Sequence, residues 1–467
     1  MLHVILAPHR ASLKANTADA QKVFAMLKLI PRAEVARARP PQAYVLVIDT
    51  SGSMREYADQ TAAQEAIAQQ GLGGVPNRSA DGTYQGYNLP LPTKLDKAVE
   101  AAHAVVDDDR FLPSDQIAIV HFDDDARTLL PLTPLADKDS AHQAIEALRQ
   151  HSGGTHLARG LQLAQQALGK VPADVAKRLV LLTDGKTFDE PRCRPIAGQL
   201  AATNTPIIAV GIGDEYNEGL MIDLANISQG RAYHLQTMQE LRQTLDIEVA
   251  TSVKEVVTDL QATLAMVRGV ALDSLARVYP SLAEVSLSEQ PYRLGNVAAG
   301  DFTVYVLEFT VAGIARPPSR VRIAQVGLAG NAPGLGRREE FPVQDLFLNF
   351  TTDEAAVARV DEEVLGYVQQ KNVDRLVDRA LRTASRDPAE ARRTLQVAAG
   401  MTQRLGNARA TQLLERAMSE LEQTGAISAG TVKTVRVGGR TQTVKPAGTQ
   451  PAEGGLSDEE IRRLTGT

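Results

Sequence analysis

The pattern of hydrophobic positions changes several times along the chain. Residues 1–42 contain two short apolar stretches, HVILA and VFAMLKLI, separated by polar, turn-like residues. This pattern is typical of β-strands, and two such strands bury too little surface to fold alone. We therefore expect residues 1–42 to join a sheet that is formed elsewhere in the chain.

Residues 43–245 alternate short apolar runs with segments of helical periodicity. The runs are YVLVID, IAIVHF, RLVLLTD, PIIAVGI and RAYHL. The helical segments are TKLDKAVEAAHAVV, KDSAHQAIEALRQH, THLARGLQLAQQAL and a segment near residues 218–228. Continuous apolar strands with intervening helices predict an α/β fold, a doubly wound parallel sheet that is covered on both faces. ARTLLPL follows the turn FDDD and predicts an antiparallel hairpin at one edge.

The remainder of the chain predicts a β-rich region, a helical region and a tail. Residues 250–350 show strand patterns punctuated by Gly and Pro, which favours an antiparallel β-sandwich. If the N-terminal strands complete this sandwich, the α/β domain is inserted into it. Residues 351–424 predict three helices, the first with a capping box from Thr351 to Glu354. Residues 425–467 are rich in Thr, Gly and basic side chains, and we expect them to be flexible.

Composition narrows the class of protein. The 467 residues are 43% hydrophobic and carry a formal net charge of −6, which gives no reason to expect nucleic acid or an anionic membrane as partner. Cys193 is the single cysteine, so an intramolecular disulfide is excluded. Together with the absence of a recognisable secretory signal, this favours the cytoplasm. No stretch approaches the ~18 consecutive apolar residues of a membrane span.

Three separated sequence pieces carry the candidate chemistry. Each lies beside a predicted strand or helix: Asp49-Thr50-Ser51-Gly52-Ser53, Gly153-Gly154-Thr155 and Thr183-Asp184-Gly185. Together they offer two carboxylates and three hydroxyls, and no His or Cys belongs to the set. Hard oxygen ligands suit Mg²⁺, with Mn²⁺ or Ca²⁺ as alternatives, rather than Zn²⁺.

The predicted topology brings these pieces together. Asp49 ends the first strand of the α/β domain and Asp184 ends the fourth. In a doubly wound sheet these strands are neighbours at the point where the strand order reverses, and ligands bind beyond the carboxyl ends of strands at that point. We therefore expect Asp49 and Asp184 to meet in space.

The three pieces D-T-S-G-S, G-G-T and T-D-G resemble the metal-ion-dependent adhesion site of von Willebrand factor A domains. The resemblance covers roughly residues 43–245. It implies that Ser51 and Ser53 bind the metal directly. It also implies that Asp49, Thr155 and Asp184 bind it directly or through water, and that a carboxylate of a partner protein fills a vacant position. The wider layout resembles bacterial proteins that combine this domain with a β-sandwich and C-terminal helices.

Two features depart from the family pattern. Residues 55–92 form an insert between Met54 and the next helix, and this insert must lie beside the site. His156 follows Thr155, where an uncharged polar residue is more usual. Four residues next to the proposed metal ligands are candidates to contact a bound partner: Met54, Gly154, His156 and Gly185.

Several of these signals also have purely structural interpretations. Asp49 and Ser51 alone are typical helix caps, although the three pieces together favour metal binding. The acidic runs Asp107–Asp109 and Asp123–Asp125 are typical of turns, and His121 in its apolar strand is typical of a packed histidine. In the tail, Thr431, Thr434, Thr441 and Thr443 are candidates for phosphorylation, with a solvated tail as the favoured alternative.

The function that the sequence predicts depends on the predicted metal site. The sequence favours a non-enzymatic protein that binds an unidentified partner through a divalent metal. One alternative keeps this mechanism in a subunit of a MoxR-type ATPase or a kinase and phosphatase system. The other is a Mg²⁺-dependent hydrolase, which requires an activating base and further positive charge at the substrate, and no motif for either is recognisable.

Overall fold

The structure, a computed structural model of the chain, describes residues 2–32, 39–69, 89–312, 316–441 and 443–446. The described residues form two compact units. One, the α/β unit, comprises residues 38–255 and 333–336. The other, the sandwich unit, lies within residues 1–37, 256–332 and 337–467 and also contains the C-terminal helices.

The strands and helices are numbered in chain order. The strands are β1 (Leu2–Pro8), β2 (Ser12–Lys14), β3 (Gln21–Pro31), β4 (Gln42–Asp49), β5 (Gln116–Phe122), β6 (Ala126–Pro134), β7 (Ala176–Thr183), β8 (Ile207–Ile212), β9 (Arg231–Leu235), β10 (Glu255–Met266), β11 (Val270–Tyr279), β12 (Ala283–Glu284), β13 (Tyr292–Ala298), β14 (Thr303–Val311), β15 (Ser319–Ala332) and β16 (Arg337–Thr351). The helices are α1 (Gln60–Gln69), α2 (Lys94–Val106), α3 (Lys138–Ala147), α4 (Leu157–Leu168), α5 (Glu190–Ala202), α6 (Glu218–Ser228), α7 (Gln239–Ser252), α8 (Glu354–Ala358), α9 (Glu362–Thr383), α10 (Pro388–Arg404), α11 (Ala408–Thr424) and α12 (Ala429–Thr441).

A six-stranded sheet forms the centre of the α/β unit. Its strand order is β6-β5-β4-β7-β8-β9. All neighbouring strands run parallel except β6, which pairs antiparallel with β5 at one edge. The predicted doubly wound sheet and the predicted antiparallel hairpin are both confirmed.

Helices on both faces explain why the strands read as continuous apolar runs. Every residue of β4 and β7 is buried. Alternate side chains of a strand point to opposite faces, and one face packs against α2, α3 and α7. On the other face Gly160 of α4 approaches β4 closely, because a Cβ atom there would lie 3.0 Å from Val47 Cγ1.

Two helices of this unit depart from the sequence expectation. α5 was not predicted, because Pro195 lies inside it, where proline normally interrupts helical periodicity. α7 continues to Ser252, beyond the expected end of the domain at residue 245.

The β-sandwich is discontinuous in sequence. One sheet has the order β1-β3-β14-β11-β12 and the other β13-β10-β15-β16-β2, and apolar side chains from both sheets form one core. β3 pairs antiparallel with β14, so the N-terminal strands belong to the sandwich and the α/β unit is inserted between them and the later strands. β2 departs from the antiparallel pattern, since it pairs parallel with β16.

Strand β3 is buried on both faces, which explains its unbroken apolar run. Val23, Ala25, Leu27 and Leu29 face the sandwich core. Their neighbours Phe24 and Met26 face the other way and pack with Tyr367 and Val368 of α9. Helix α9 is therefore attached to the outer face of this sheet.

The helical region begins differently from the prediction. Asp353, rather than Thr351, caps α8 by accepting hydrogen bonds from the amides of Ala355 and Ala356 at 2.9 and 3.3 Å. A second cap, Asp361, then starts α9. The expected first helix is thus divided into a short helix and a long one, because two aspartates compete to begin it.

The expectation of a flexible tail from residue 425 is wrong for α12. Its Arg440 binds both carboxylate oxygens of Asp374 at 2.8 and 2.7 Å, and Arg436 binds Asp378 at 3.0 Å. Val435 and Val437 are buried. Tertiary packing here overrides the weak helix propensity of Thr, Val and Gly. Residues 447–467 of the predicted tail lie outside the described residues.

Within the described part of the chain, no helix is both long enough and apolar enough to cross a membrane.

Candidate metal site

The three sequence pieces form three loops at the carboxyl edge of the six-stranded sheet. Asp49 is the last residue of β4, and Asp184 directly follows β7. β4 and β7 are adjacent and parallel, so the predicted meeting of Asp49 and Asp184 has its topological basis. Both side chains are buried, at 0% and 1% exposure.

The first loop folds back on the carboxylate that precedes it. The Ser51 amide donates to Asp49 Oδ1 at 2.8 Å, and a short 3-10 turn, Gly52–Arg55, follows. This turn brings the Ser53 hydroxyl to 3.2 Å from the Ser51 hydroxyl. One carboxylate and two hydroxyls are thereby held together by local backbone geometry.

The third loop adds a second carboxylate to this group. Ser53 Oγ donates to Asp184 Oδ1 at 2.6 Å. In addition, Thr183 Oγ1 donates to Asp49 Oδ2 at 2.6 Å. These two bonds connect β4 and β7 at the site itself, so the oxygens of Asp49, Ser51, Ser53 and Asp184 form one connected cluster.

The second loop carries Thr155 to the same place. Its backbone is tied to the first loop by the Gly52 amide, which donates to Gly153 O at 2.9 Å, and to the third loop by the Phe188 amide, which donates to Thr155 O at 3.0 Å. A Cβ atom added to Gly185 would lie 3.6 Å from both Ser53 Oγ and Thr155 Oγ1. Thr155 therefore faces Ser53 across Gly185, and the structure brings all five candidate ligands to one site.

The raised pKa of Asp49 indicates that the cluster of candidate ligands has excess negative charge. Burial, followed by repulsion from the nearby Asp184, raises the pKa of Asp49 to about 7. Two buried carboxylates at one site favour a bound cation. The oxygen donors and the charge balance therefore fit a hard divalent ion such as Mg²⁺.

A lysine that the sequence analysis missed lies at the edge of this cluster. Lys94 Nζ donates to Asp184 Oδ2 at 2.7 Å and to Glu56 Oε2 at 2.9 Å. Burial alone would lower the pKa of Lys94, but the carboxylates of Asp184 and Glu56 outweigh burial and raise it. The ammonium group is therefore charged and neutralises part of the negative charge.

One signal could have revealed Lys94. It is the first residue of α2, directly after the capping box of Thr93 and Asp96, and a cation at a helix N-terminus is opposed by the helix dipole. Such a placement is favourable only when carboxylates lie nearby.

Residues 44–186, which include all five candidate ligands, match the family model described as von Willebrand factor type A domain. The chain contains a von Willebrand factor type A (VWA) domain. Residues 362–445, which include α9 to α12, match the model described as Sll0103-like, C-terminal alpha-helical domain.

Two uncharacterized proteins are similar to the chain in sequence. The protein sll0103 of Synechocystis sp. is 25% identical over 244 residues, which are 49% of this chain and 56% of that protein. YfbK of Escherichia coli is 28% identical over 156 residues, which are 32% of this chain and 27% of that protein. The chain therefore matches less than two thirds of the length of either relative.

Two solved structures resemble nearly the whole chain. A von Willebrand factor type A protein from Catenulispora acidiphila aligns with a TM-score of 0.75 and 18% identity, covering 95% of this chain and 97% of that one. The ArnB paralog VWA2 from Sulfolobus acidocaldarius aligns with a TM-score of 0.59 and 17% identity, covering 95% and 99%. At these identities the likeness shows the fold, a VWA-type α/β domain with a β-rich region and C-terminal helices.

The residues beside the five candidate ligands differ in their exposure. Met54 is fully buried in the core of the VWA domain, so the expectation that its side chain contacts a bound partner is corrected. Gly154, His156 and Gly185 do border the site. A Cβ atom at Gly154 would lie 3.3 Å from Phe188 Cε2, and the His156 ring lies 5.5 Å from the Phe188 ring.

Phe188 is a surface feature that the sequence analysis did not single out. Its side chain is 76% exposed although it is aromatic. It lies on the third loop, next to Gly154 and His156 at the rim of the site. Exposed aromatic side chains of this kind are enriched at protein interfaces.

A group of three side chains lies behind the first loop. His121 is buried as predicted, and its ring stacks on that of His151 with centroids 3.7 Å apart. Burial, followed by the nearby His151, lowers the pKa of His121 to about 4, so its ring is neutral at pH 7. Asp123 lies beside them and accepts from the Asp125 amide at 3.0 Å, which confirms the predicted turn.

The insert is described at both of its ends. Tyr57 forms an isolated bridge with Thr93, and α1 packs Ala63 and Ile67 against Tyr57 and Leu89. Residues 70–88 of the insert lie outside the described residues.

Proposed function

We propose that this chain is a non-enzymatic binding protein that uses a divalent metal, Mg²⁺, to recognise a carboxylate of a partner protein. The observation that carries the proposal is the hydrogen bond of 2.6 Å from Ser53 Oγ to Asp184 Oδ1. It joins the hydroxyls of the first loop to the carboxylate of the third, which is the arrangement that an oxygen-coordinated ion requires.

Each residue has a defined part in this proposal. Ser51 and Ser53 bind the ion directly, and Asp49, Thr155 and Asp184 bind it directly or through water. Mg²⁺ takes six oxygen ligands and commonly keeps waters that a ligand can displace, so the bound ion supplies an attachment point for the partner's carboxylate. The hydrogen bonds between the three loops hold the five side chains near that geometry before the ion arrives.

The surface around the site supports a protein as partner. Phe188 offers an exposed aromatic side chain at the rim, and aromatic side chains often contribute most to the binding energy of protein interfaces. A partner that places a carboxylate on the ion would bury this ring at the same time.

The hydrogen bonds of the two serines favour a role as metal ligands over a role as nucleophiles. Ser51 Oγ is bonded to Ser53 Oγ, and Ser53 Oγ donates to Asp184. A serine nucleophile requires a base, usually histidine, that takes its proton. These hydroxyls instead face each other and a carboxylate, as ligands of one ion would.

The proposal leaves the partner open between two classes. A free-standing adhesion partner and a MoxR-type ATPase or signalling kinase both fit the same mechanism, since each needs only a carboxylate and an apolar contact. We also propose a cytoplasmic location, which is supported by the single cysteine, Cys193, because one cysteine forms no intramolecular disulfide. Separation of cell fractions tests the location.

A pull-down from cell lysate tests the proposal. The unaltered chain and Asp184→Ala are each tested in Mg²⁺ and in EDTA. Asp214→Ala serves as control, because Asp214 is an exposed acidic residue outside the site. We expect a protein that is captured only in Mg²⁺ by the unaltered chain and the control. Loss of the contact at the ion should weaken binding by roughly 2–5 kcal/mol.

Two results contradict the proposal. If capture is equal in Mg²⁺ and in EDTA, partner binding does not depend on a metal. If Asp184→Ala captures the partner as well as the unaltered chain does, the candidate site is not required for partner binding.

A further inference from the structure

His121, Asp123 and His151 come from three different places and meet beside the first loop. His121 lies near the end of β5, Asp123 directly follows that strand, and His151 precedes the glycines of the second loop. One ligand atom of each residue lies within 4.8 Å of the ligand atoms of the other two. Ligands of a tetrahedral Zn²⁺ are about 2.0–2.2 Å from the ion, so the three ligand atoms have to come closer together to share one ion.

A second observation concerns the buried ring of His121. Its side chain is 2% exposed, and its Nε2 atom has no hydrogen-bond partner among the described residues. Buried polar atoms in native proteins almost always have a partner, and an orphaned one indicates a missing water or ion. The Nδ1 atom of the same ring lies 3.7 Å from Asp123 Oδ2 and 3.1 Å from Thr50 Oγ1, so it is Nδ1 that faces the carboxylate.

We propose that His121, Asp123 and His151 bind a transition-metal ion, in the first place Zn²⁺, at a site separate from the oxygen cluster of Asp49 and Asp184. Two imidazoles and one carboxylate are a donor set that suits Zn²⁺, whereas Mg²⁺ prefers oxygen ligands alone. The chain therefore has two adjacent sites that differ in the ions they select. This inference goes beyond the proposed function and does not depend on it.

The stacking of the two rings means that binding of an ion requires a rearrangement. The two rings are inclined by only 22° and are stacked, so one ring has to turn before both can bind one ion. His121 is fixed by burial and by Thr50, whereas His151 is partly exposed. The ring of His151 therefore turns out of the stack when the ion binds, and three protein ligands leave the fourth position of a tetrahedral ion open.

Thr50 connects the proposed second site to the first loop. Its hydroxyl lies 3.1 Å from His121 Nδ1 and donates to Phe122 O at 3.2 Å or to Asp123 Oδ2 at 3.3 Å. The same hydroxyl thus contacts two of the three candidate ligands, and hydrogen-bond partners of this kind orient metal ligands. Since Thr50 stands between Asp49 and Ser51, an ion on His121 and Asp123 stiffens the loop that carries the other site.

Cobalt spectroscopy tests the inference. Untagged full-length chain is titrated with Co²⁺ in excess Mg²⁺, and Zn²⁺ is then added as competitor. His151→Ala removes a ligand that is partly exposed, and Asp123→Asn weakens a buried ligand while it keeps the size of the side chain. His3→Ala is the matched control, because His3 is exposed on β1 in the sandwich unit. Far-ultraviolet circular dichroism shows whether each variant is folded.

We expect one equivalent of Co²⁺ with the visible absorption of a four- or five-coordinate ion, displaced by Zn²⁺. His151→Ala and Asp123→Asn should bind Co²⁺ at least about a hundredfold more weakly, since changes at partners of metal ligands already cost about 10–100-fold. His3→Ala and Asp184→Ala should bind it as the unaltered chain does.

Three results overturn the inference. The first is that the unaltered chain shows no such absorption. The second is that His151→Ala is folded and retains the absorption in full. The third is that the absorption is lost in Asp184→Ala but kept in His151→Ala. The last result assigns the ion to the oxygen cluster. It leaves the proposed function standing while it removes the second site.

Discussion

Lys94 is the residue that most changes the charge of the oxygen cluster. Its ammonium group contacts Asp184 and Glu56, and its side chain is only 16% exposed. Without a bound metal, the ammonium group of Lys94 neutralises the charge of Asp184. When a divalent ion binds, the same group repels it. The residue thus lowers the affinity of the site for divalent ions.

Lys94→Met should therefore bind Mg²⁺ more tightly than the unaltered chain. Removing a charge a few ångströms from a divalent ion is expected to strengthen binding by at least about tenfold, even with strong screening. Lys97→Met is the matched control, because Lys97 lies on the same helix and pairs with the exposed Glu100. Isothermal titration calorimetry measures both, and an affinity of Lys94→Met equal to or below that of the unaltered chain contradicts this role.

Phe188 allows metal binding and partner binding to be separated. Phe188→Ala leaves the five candidate ligands in place, so its Mg²⁺ affinity should be unchanged. Its affinity for the captured partner should fall by about 1–2 kcal/mol, the range of an aromatic side chain that contributes strongly to an interface.

Leu112→Ala is the control for Phe188→Ala, because Leu112 is also an exposed apolar residue, at 49% exposure. Surface plasmon resonance with the purified partner measures the three proteins. Full partner affinity in Phe188→Ala excludes this rim from the interface.

Helix α9 is joined to the sandwich by an ion cluster around Glu308. Lys22 of β3 donates to its Oε1 atom at 2.6 Å, and Arg375 of α9 donates to its Oε2 atom at 2.9 Å. Lys371 lies 3.8 Å away and is 2% exposed. Glu308 is therefore the common partner of cations from two different elements.

Glu308→Gln should destabilise the sandwich unit. The amide keeps the size of the side chain but removes one of the two carboxylates that act on the buried Lys371, Glu284 being the other. Breaking a buried ion pair on one side costs about 3 kcal/mol. Urea unfolding measures the change, with Glu289→Gln, an exposed position, as control. A loss of less than about 0.5 kcal/mol, as for an ordinary surface change, contradicts the assigned role.

The same cluster predicts a dependence on pH. Burial alone would raise the pKa of Glu308, but hydrogen bonds from Lys22 and Arg375 outweigh it and lower the pKa from 4.5 to about 2. A carboxyl whose pKa is lowered by folding stabilises the protein fully above its unfolded pKa, and this contribution is lost as the pH falls through the folded value.

The difference in unfolding free energy between the unaltered chain and Glu308→Gln should therefore be constant from neutral pH down to about 5. It should then shrink steadily between pH 4.5 and about 2. Urea unfolding at a series of pH values measures it. A difference that persists unchanged at the acid end contradicts the assigned charge state.

At the scale of whole elements, the sequence predicted structure best where periodicity and packing agree. The strands from β4 to β9 and the helices α2, α3, α4 and α6 follow their apolar patterns. α5 and α12 do not, because Pro195 in the first and Thr, Val and Gly in the second weaken the local helical signal. α12 forms through contacts such as Arg440 with Asp374, which lie 66 residues apart and leave no local trace.

The architecture of the whole molecule was predictable from the order of its patterns. The N-terminal strands cannot form a stable sheet alone. β3 pairs with β14, although the inserted α/β unit separates the two strands in sequence. Asp49 and Asp184 were expected to meet because parallel strands at a reversal point are neighbours. Lys94 and the pair His121–His151 were not predicted, because their proximity depends on helix and loop placement rather than on spacing along the chain.

The most direct test of the account is a calorimetric titration of metal-free chain with Mg²⁺, in parallel with Asp184→Ala and the control Asp214→Ala. The account predicts that one Mg²⁺ binds to the unaltered chain and to the control, and that Asp184→Ala binds it at least about a hundredfold more weakly, a difference of about 2.7 kcal/mol. Equal binding by all three proteins, or no binding by the unaltered chain, would contradict it.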